Sequence, residues 1–199
     1  MSSKKTPYVS RGGIKLAAGL DVLRVDPAGR VCADLGCNVG GFVDCLLQRG
    51  AVRVYAVDTG YGVLDWRLRR DPRVVVMERT NALRCRLPEP VDLVTIDVGW
   101  TRQRHIVPAA ARLLRPGGLI ITLIKPHYEA GPHQLRRGIL PDSAVEAVLA
   151  ETLQMLVDAG FEVRGSTESP IRGQSGNREF LALIAPRSFA NHADTAVSG

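Results

Sequence analysis

Apolar and polar positions along the chain fall into two rhythms. Short β-branched runs recur at residues 30–34 (RVCAD), 53–58 (RVYAVD), 73–78 (RVVVME), 92–97 (DLVTID) and 119–125 (LIITLIK). Between them lie longer segments with helical spacing, such as 41–50 (GFVDCLLQRG) and 106–118 (IVPAAARLLRPGG). This alternation predicts a mostly parallel sheet with helices on both faces. Residues 142–160 read as one long helix, capped at Asp142 or Ser143 and stopped at Gly160. Two further runs, 161–170 and 179–186, follow with no helix between them, so they are expected to pair antiparallel. The expectation is one Rossmann-like α/β domain over residues 1–187, with seven strands ending in an antiparallel hairpin. The tail, 188–199, reads as disordered.

Composition narrows the setting. With 199 residues and 45% hydrophobic content, the chain can bury a core of ordinary size. A net charge of +6 favours a polyanionic partner such as RNA. No apolar run approaches the roughly 20 residues needed to cross a bilayer, and residues 1–10 (MSSKKTPYVS) lack the apolar stretch of a secretory signal. No membrane association and a cytoplasmic location are therefore expected. The four cysteines, at 32, 37, 45 and 85, form no CxxC pair and have no matching histidine spacing, so no metal site is expected. Cys32 and Cys45 sit in apolar patterns and read as core residues.

Residues 31–42 (VCADLGCNVGGF) carry the first chemical signal. Open parallel sheets bind ligands beyond the carboxyl ends of their strands, where a glycine turn lets the backbone approach closely. A dinucleotide fold would show GxGxxG opening onto a pyrophosphate. Here Asp34 precedes Gly36, Gly40 and Gly41, with Cys37, Asn38 and Phe42 completing the loop, and an acid would repel phosphate. It suits a ligand with a cationic end, such as the amino and sulfonium groups of S-adenosylmethionine. The strand pattern likewise matches the sheet of class I methyltransferases better than that of a dinucleotide domain. Asp58, ending the second strand, stands where an acid can accept hydrogen bonds from ribose hydroxyls, although such a residue also serves as a helix cap. Asn81 and Ala82 follow the third strand, where adenine lies in such sheets.

Ionisable residues close the next two strands, Asp97 the fourth and Lys125 the fifth. A lysine ending an apolar strand either snorkels to the surface or is held as an amine in a half-buried cleft, where it can act as a base. Lys15 lies on the first turn of a helix behind two glycines, and Glu179 starts the last strand. Singly, each of these two reads as a solvated charge; together the four form a candidate constellation.

The segments YVSRGGIKL, DLGCNVGGFVDCLLQRGAVRVYAVDTGYG, DPRVVVMERTN, IDV, LIKPHYEAG and SPIRGQSGNREFL, in this order from about Tyr8 to Ile184, resemble the hemolysin A (TlyA) family of ribosomal RNA 2'-O-methyltransferases, within the FtsJ-like group. The resemblance implies S-adenosylmethionine as cofactor, a ribose 2'-hydroxyl of ribosomal RNA or a ribosomal subunit as acceptor, and a Lys-Asp-Lys-Glu tetrad at Lys15, Asp97, Lys125 and Glu179. Lys125 would accept the hydroxyl proton and Lys15 would stabilise the developing oxyanion, while the carboxylates orient the amines. Some positions depart from the family pattern. Asn38-Val39 replaces Ser-Thr, KPHY replaces KPQF and brings His127 to the cleft, and GWTRQRH follows Asp97. In that last segment Trp100 could stack on a base and Arg102 and Arg104 could contact phosphates, or the tryptophan could be core beside a solvated basic turn.

Typical members of the family it resembles carry an N-terminal S4 RNA-binding domain, whereas this sequence begins a few residues ahead of the methyltransferase motifs. RNA contacts are therefore expected from the domain's own face, with Lys4, Lys5, Arg11, Arg69, Arg70, Arg136, Arg137 and Arg178 as candidates and room for a separate RNA-binding partner. Two alternatives stay open: the same chemistry on a small hydroxylated acceptor, and a noncatalytic RNA-binding or ribosome-assembly factor. A membrane-lytic reading gains little support, since the long helix carries Glu146, Glu151 and Asp158.

Overall fold

The computed structural model describes residues Thr6–Arg187, so Lys4, Lys5 and the tail at 188–199 lie outside the described residues. Seven strands form one sheet: β1 (Val31–Leu35), β2 (Arg53–Val57), β3 (Val74–Met77), β4 (Val91–Ile96), β5 (Leu114–Ile124), β6 (Phe161–Glu168) and β7 (Phe180–Pro186). Their order is β3-β2-β1-β4-β5-β7-β6. The first five strands pair in parallel, while β7 runs antiparallel to both β5 and β6. The expected α/β, Rossmann-like sheet of seven strands, ending in an antiparallel pair, is thus the observed one. The chain goes from β1 outward to β3, then returns to place β4 on the other side of β1. That reversal opens a crevice at the carboxyl ends of β1 and β4.

Both faces are covered because the central strands are apolar on both sides. On one face α1 (Gly12–Leu23), α2 (Gly41–Gln48) and the one-turn α3 (Trp66–Arg69) bury Leu16, Leu20, Val43, Leu46 and Leu68 in one cluster with Val54, Leu93 and Leu123. On the other, α4 (Gln103–Ala111) and α6 (Asp142–Asp158) bury Ile106, Val107, Val145 and Leu149 against Val94, Ile96 and Ile120. Fully burying such a side chain contributes roughly 1.5–3 kcal/mol, so either layer outweighs any single surface contact. Gly19 lets α1 lie close on β7, since a Cβ there would come within 2.7 Å of Leu181 Cδ2. Cys32 and Cys45 are fully buried core residues.

Three local expectations are corrected. The N-cap of α6 is Pro141, with no side-chain cap; Asp142 lies in the first turn and pairs instead with Arg172 at 2.8 Å. The strand β5 starts at Leu114, so the RPGG stretch assigned to a helical segment lies within the strand as an irregular bulge, with Gly117 at φ +79° and a register shift against β4 between Val91 and Leu93. Finally, β6 and β7 pair antiparallel as expected but are joined by the long loop 169–179, not by a tight hairpin turn. That loop returns to the carboxyl edge of the sheet and helps build the cavity.

Candidate active site

The residues at the crevice are placed by register. Asp34, on β1, stands opposite Thr95 on β4, and the Thr95 hydroxyl donates to Asp34 Oδ1 at 2.7 Å. The carboxyl is 1% exposed and its second oxygen, Oδ2, has no hydrogen-bond partner. Burial pushes its pKa up to about 8; the hydrogen bond from Thr95 opposes this, and the charges of Asp97 and Asp58 add to it.

The loop after β1 is tightly determined. The amides of Gly36 and Cys37 both donate to the Val57 carbonyl, which ties the loop to the end of β2. Gly36 has φ +85°, and a Cβ there would come within 2.5 Å of the Asp97 carbonyl oxygen. Asn38 takes φ +46°, and its amide donates to Asp58 Oδ2 at 2.8 Å. The other Asp58 oxygen accepts from the Gly60 amide at 2.7 Å. Asp58 therefore works first as a clamp on two loops. Gly40, at φ +101°, starts α2 where a side chain would run into Leu64 and Leu68.

A cavity of about 700 Å³ opens above this loop. Its walls include Asp34, Gly36, Cys37, Asn38, Gly41 and Phe42 on one side and Lys15, Asp97, Lys125 and Glu179 on the other. The last four form two ion pairs. Lys15 Nζ lies 2.5 Å from Glu179 Oε2, and Lys125 Nζ lies 2.7 Å from Asp97 Oδ1. Lys125 also donates to the Val98 carbonyl at 3.2 Å, which fixes the amine in the cleft instead of letting it snorkel outward. Glu179 is 4% exposed, so Lys15 is the counter-charge that makes its burial tolerable. Lys15 reaches it because α1 begins directly against α2: a Cβ at Gly41 would run into Ser10 and the Gly13 backbone.

Beside Lys125, the one-turn helix α5 (Pro126–Glu129) carries His127 and Tyr128 into the wall. The two rings stand 4.2 Å apart between centroids, and Tyr128 packs against Trp100 at 4.9 Å. Trp100 is 85% exposed, which excludes the core reading. Burial, with the charge of Lys125, holds the His127 pKa down to about 4, and its Nδ1 has no partner.

Other expected site residues lie elsewhere. Asp58, Asn81 and Ala82 are outside the walls of this cavity, and Asn81 caps a short turn through the Leu83 amide. Arg11 lines the cavity and donates to the Arg172 carbonyl at 3.0 Å. Arg102 stands at the N-cap position of α4 with no side-chain cap, Arg104 is exposed, and neither lines the cavity; Arg136 and Arg137 sit on an exposed turn. Arg178 is bound to Glu146 and Glu168, at 2.8 and 2.7 Å, and its guanidinium lies over the Phe180 ring. Arg69 pairs with Glu78, while Arg70 lies over the Trp66 ring at 5.8 Å. Sequence reasoning missed Thr95, Ser10, Tyr128 and the loop residues Arg172, Gln174, Ser175 and Asn177. The polar, glycine-containing run 172–178 (RGQSGNR) just ahead of an apolar strand is the signal that could have found the loop.

The profile of the FtsJ-like methyltransferase family matches residues 8–185. The chain belongs to that family. A Bacillus subtilis protein provisionally named rRNA methyltransferase YqxC is 43% identical over 87% of this chain and 64% of its own length. The 16S/23S rRNA (cytidine-2'-O)-methyltransferase TlyA of Mycobacterium tuberculosis is 39% identical over 92% of this chain and 70% of its own. Hemolysin A of Brachyspira hyodysenteriae is 36% identical over 88% of this chain and 75% of its own. The chain thus spans about two-thirds of the length of these FtsJ-like relatives. Among solved structures, a Streptococcus thermophilus protein assigned as a hemolysin superposes with a TM-score of 0.89 at 40% identity, over 94% of this chain and 70% of that one. An S-adenosylmethionine-dependent methyltransferase of Mesorhizobium loti, at 19% identity and a TM-score of 0.61 over 87% of this chain and all of that one, shares the fold. Among the described residues, no helix is long and apolar enough to cross a membrane.

Proposed function

We propose that the protein transfers a methyl group from S-adenosylmethionine to a ribose 2'-hydroxyl of ribosomal RNA. The observation that carries this reading is the convergence of two lysine–carboxylate pairs on one cavity whose floor is a buried carboxyl with an unpartnered oxygen. The names of the FtsJ-like relatives support the substrate class. The cavity residues also fit the cofactor. Asp34 Oδ2 lacks a partner, and its charged form is costly until a cation settles against it. Gly36 keeps that floor free of a side chain.

Asp34, Gly36, Cys37, Asn38, Gly41 and Phe42 would hold S-adenosylmethionine, which supplies, when bound, a methyl group on a positively charged sulfur. Lys125 draws the 2'-hydroxyl toward the cavity and, as the neutral amine left once it has given up one proton to solvent, takes the hydroxyl proton while the oxygen attacks the methyl carbon and the sulfur keeps the electron pair of the broken bond. Asp97 fixes the direction of that amine through the 2.7 Å contact. Lys15, held by Glu179, presents positive charge where the attacking oxygen becomes anionic. Bringing the two reactants together in this cavity accounts for most of the acceleration, and proton removal adds about 10²–10⁴-fold. Trp100 and Tyr128 offer a stacking surface for an unpaired base, with Arg11 in the cavity wall and Arg102 and Arg104 close in sequence to Trp100 as candidates for phosphate contacts. The reading is tested by Lys125→Ala: transfer of labelled methyl to ribosomal RNA should fall at least about 100-fold with cofactor affinity retained, and wild-type turnover in the variant would refute the assignment.

A further inference from the structure

A second concave surface, of about 700 Å³, lies at the opposite end of the strands, where the segment leading into β4 meets the end of α4. It is lined by Arg84, Arg86 and Arg112, with Pro88 and Pro90. The sequence 83–87 (LRCRL) alternates, so Cys85 and Leu87 pack inward against the core while Arg84 and Arg86 are exposed. Arg112 stands at the groove wall, and its Nη2 donates to the Leu83 carbonyl at 2.8 Å, which pins that guanidinium in place. None of the three has a carboxylate partner among the described residues. One carboxylate, Glu89, also lines the groove, but it is already engaged, accepting from Arg53 at 2.6 Å and from Tyr55 at 2.8 Å; Asp92, two residues beyond Pro90, pairs with Arg115 at 3.1 Å.

Three uncompensated guanidinium groups in one groove repel each other, and nothing in the packing of the domain requires Arg84 or Arg86. A phosphodiester backbone supplies the missing charge, since arginine pairs with phosphate oxygens in a planar, two-bond geometry. Helix α4 links the groove to the cavity mouth. Arg104 and His105 are exposed near the N-terminal end of that helix, and Arg112 follows its C-terminal end. His105 and Arg112 are seven positions apart and so share a face, about 10 Å along the axis.

We propose that the Arg84/Arg86/Arg112 groove and the exposed flank of α4 form a track for the backbone of an RNA whose reactive nucleotide sits in the cavity. This rests on RNA being the acceptor. The track contributes affinity and register, not chemistry. Removing one arginine–phosphate pairing should make the slope of log affinity against log salt shallower by about 0.7–0.9.

The test is binding of a fluorescent RNA hairpin of about 30 nucleotides between roughly 50 and 300 mM salt, for wild type and for Arg84→Gln/Arg86→Gln, a pair that leaves the Arg112–Leu83 hydrogen bond in place. The expected result is an affinity about 10-fold weaker at about 0.1 M salt and a slope shallower by about 1.5. Binding of S-adenosylmethionine and turnover at saturating ribosomal RNA should be unchanged. Equal slopes and affinities for the two proteins, with wild type binding in a salt-dependent manner, would overturn the track and leave the proposed reaction standing. Failure of wild type to bind any RNA would overturn both. A variant that binds RNA normally but loses cofactor binding would also count against the track, since the two arginines would then be serving the fold.

Discussion

Replacing Asp34 with asparagine should remove a loss of stability that the wild-type protein undergoes between about pH 5 and 8. The carboxyl is 1% exposed, and burial raises its pKa from 3.8 to about 8. In the unfolded chain it is ionised above about pH 4, whereas the fold keeps it protonated until about pH 8. Across that window the native state binds more protons than the unfolded state, so stability falls as pH rises. The contribution is complete below about pH 4 and gone above about pH 8. At about 1.4 kcal/mol per unit, roughly three units from pH 5 to 8 set a ceiling of about 4 kcal/mol. Water drawn to the cavity floor by the charge would reduce this to about 2 kcal/mol. For a chain of this length either figure corresponds to roughly 5–15 °C in melting temperature. Urea or thermal melts of the ligand-free protein at about pH 5, 6, 7 and 8 measure it, with Asp34→Asn as the comparison. The buried amide adds a constant cost of about 1–3 kcal/mol, which cancels when slopes are compared. A flatter slope in the variant, with S-adenosylmethionine binding abolished, is the expected result. Parallel slopes would refute the reasoning.

Lys15→Met should destabilise the fold by about 3–5 kcal/mol by stranding the buried Glu179, and adding Glu179→Gln should recover part of that stability without recovering activity; denaturant melts of the three proteins decide it. Gly36→Ala places a side chain against the Asp97 carbonyl at a positive φ, so a loss of at least about 2 kcal/mol is expected in the same assay, together with cofactor binding. Because the His127 pKa is held at about 4, the imidazole stays neutral from about pH 5.5 to 8, and the pH profile of turnover should keep its shape in His127→Gln; a limb near about pH 6.5 that vanishes in the variant would contradict this.

Where sequence and structure agree, the cause is local. The five parallel strands are legible because an unbroken apolar run can only be buried on both faces, and their parallel direction follows from the crossovers between them. The glycine loop is legible because Gly36 and Gly40 need positive φ. What escapes the sequence depends on contacts between distant segments. Nothing local to Glu179 says that Lys15 will neutralise it, or local to Asp34 that Thr95 will donate to one of its oxygens. The four tetrad positions rest on a family resemblance, and the structure adds that they pair two by two in one cavity. Arg178 illustrates the converse: its charge suggests RNA, but two carboxylates on neighbouring elements already bind it. The polar run 172–178 marks a loop in the sequence but not its place at the cavity, which follows only from the pairing of β7 with β5 and β6.

The most direct measurement is transfer of labelled methyl from S-adenosylmethionine to ribosomal RNA and ribosomal subunits from cells lacking this protein, followed by digestion to nucleosides, with Lys125→Ala alongside. A labelled 2'-O-methyl nucleoside that disappears in the variant is the predicted result. Label in RNA that persists undiminished in Lys125→Ala, or appears on a base instead of a ribose, would contradict the account.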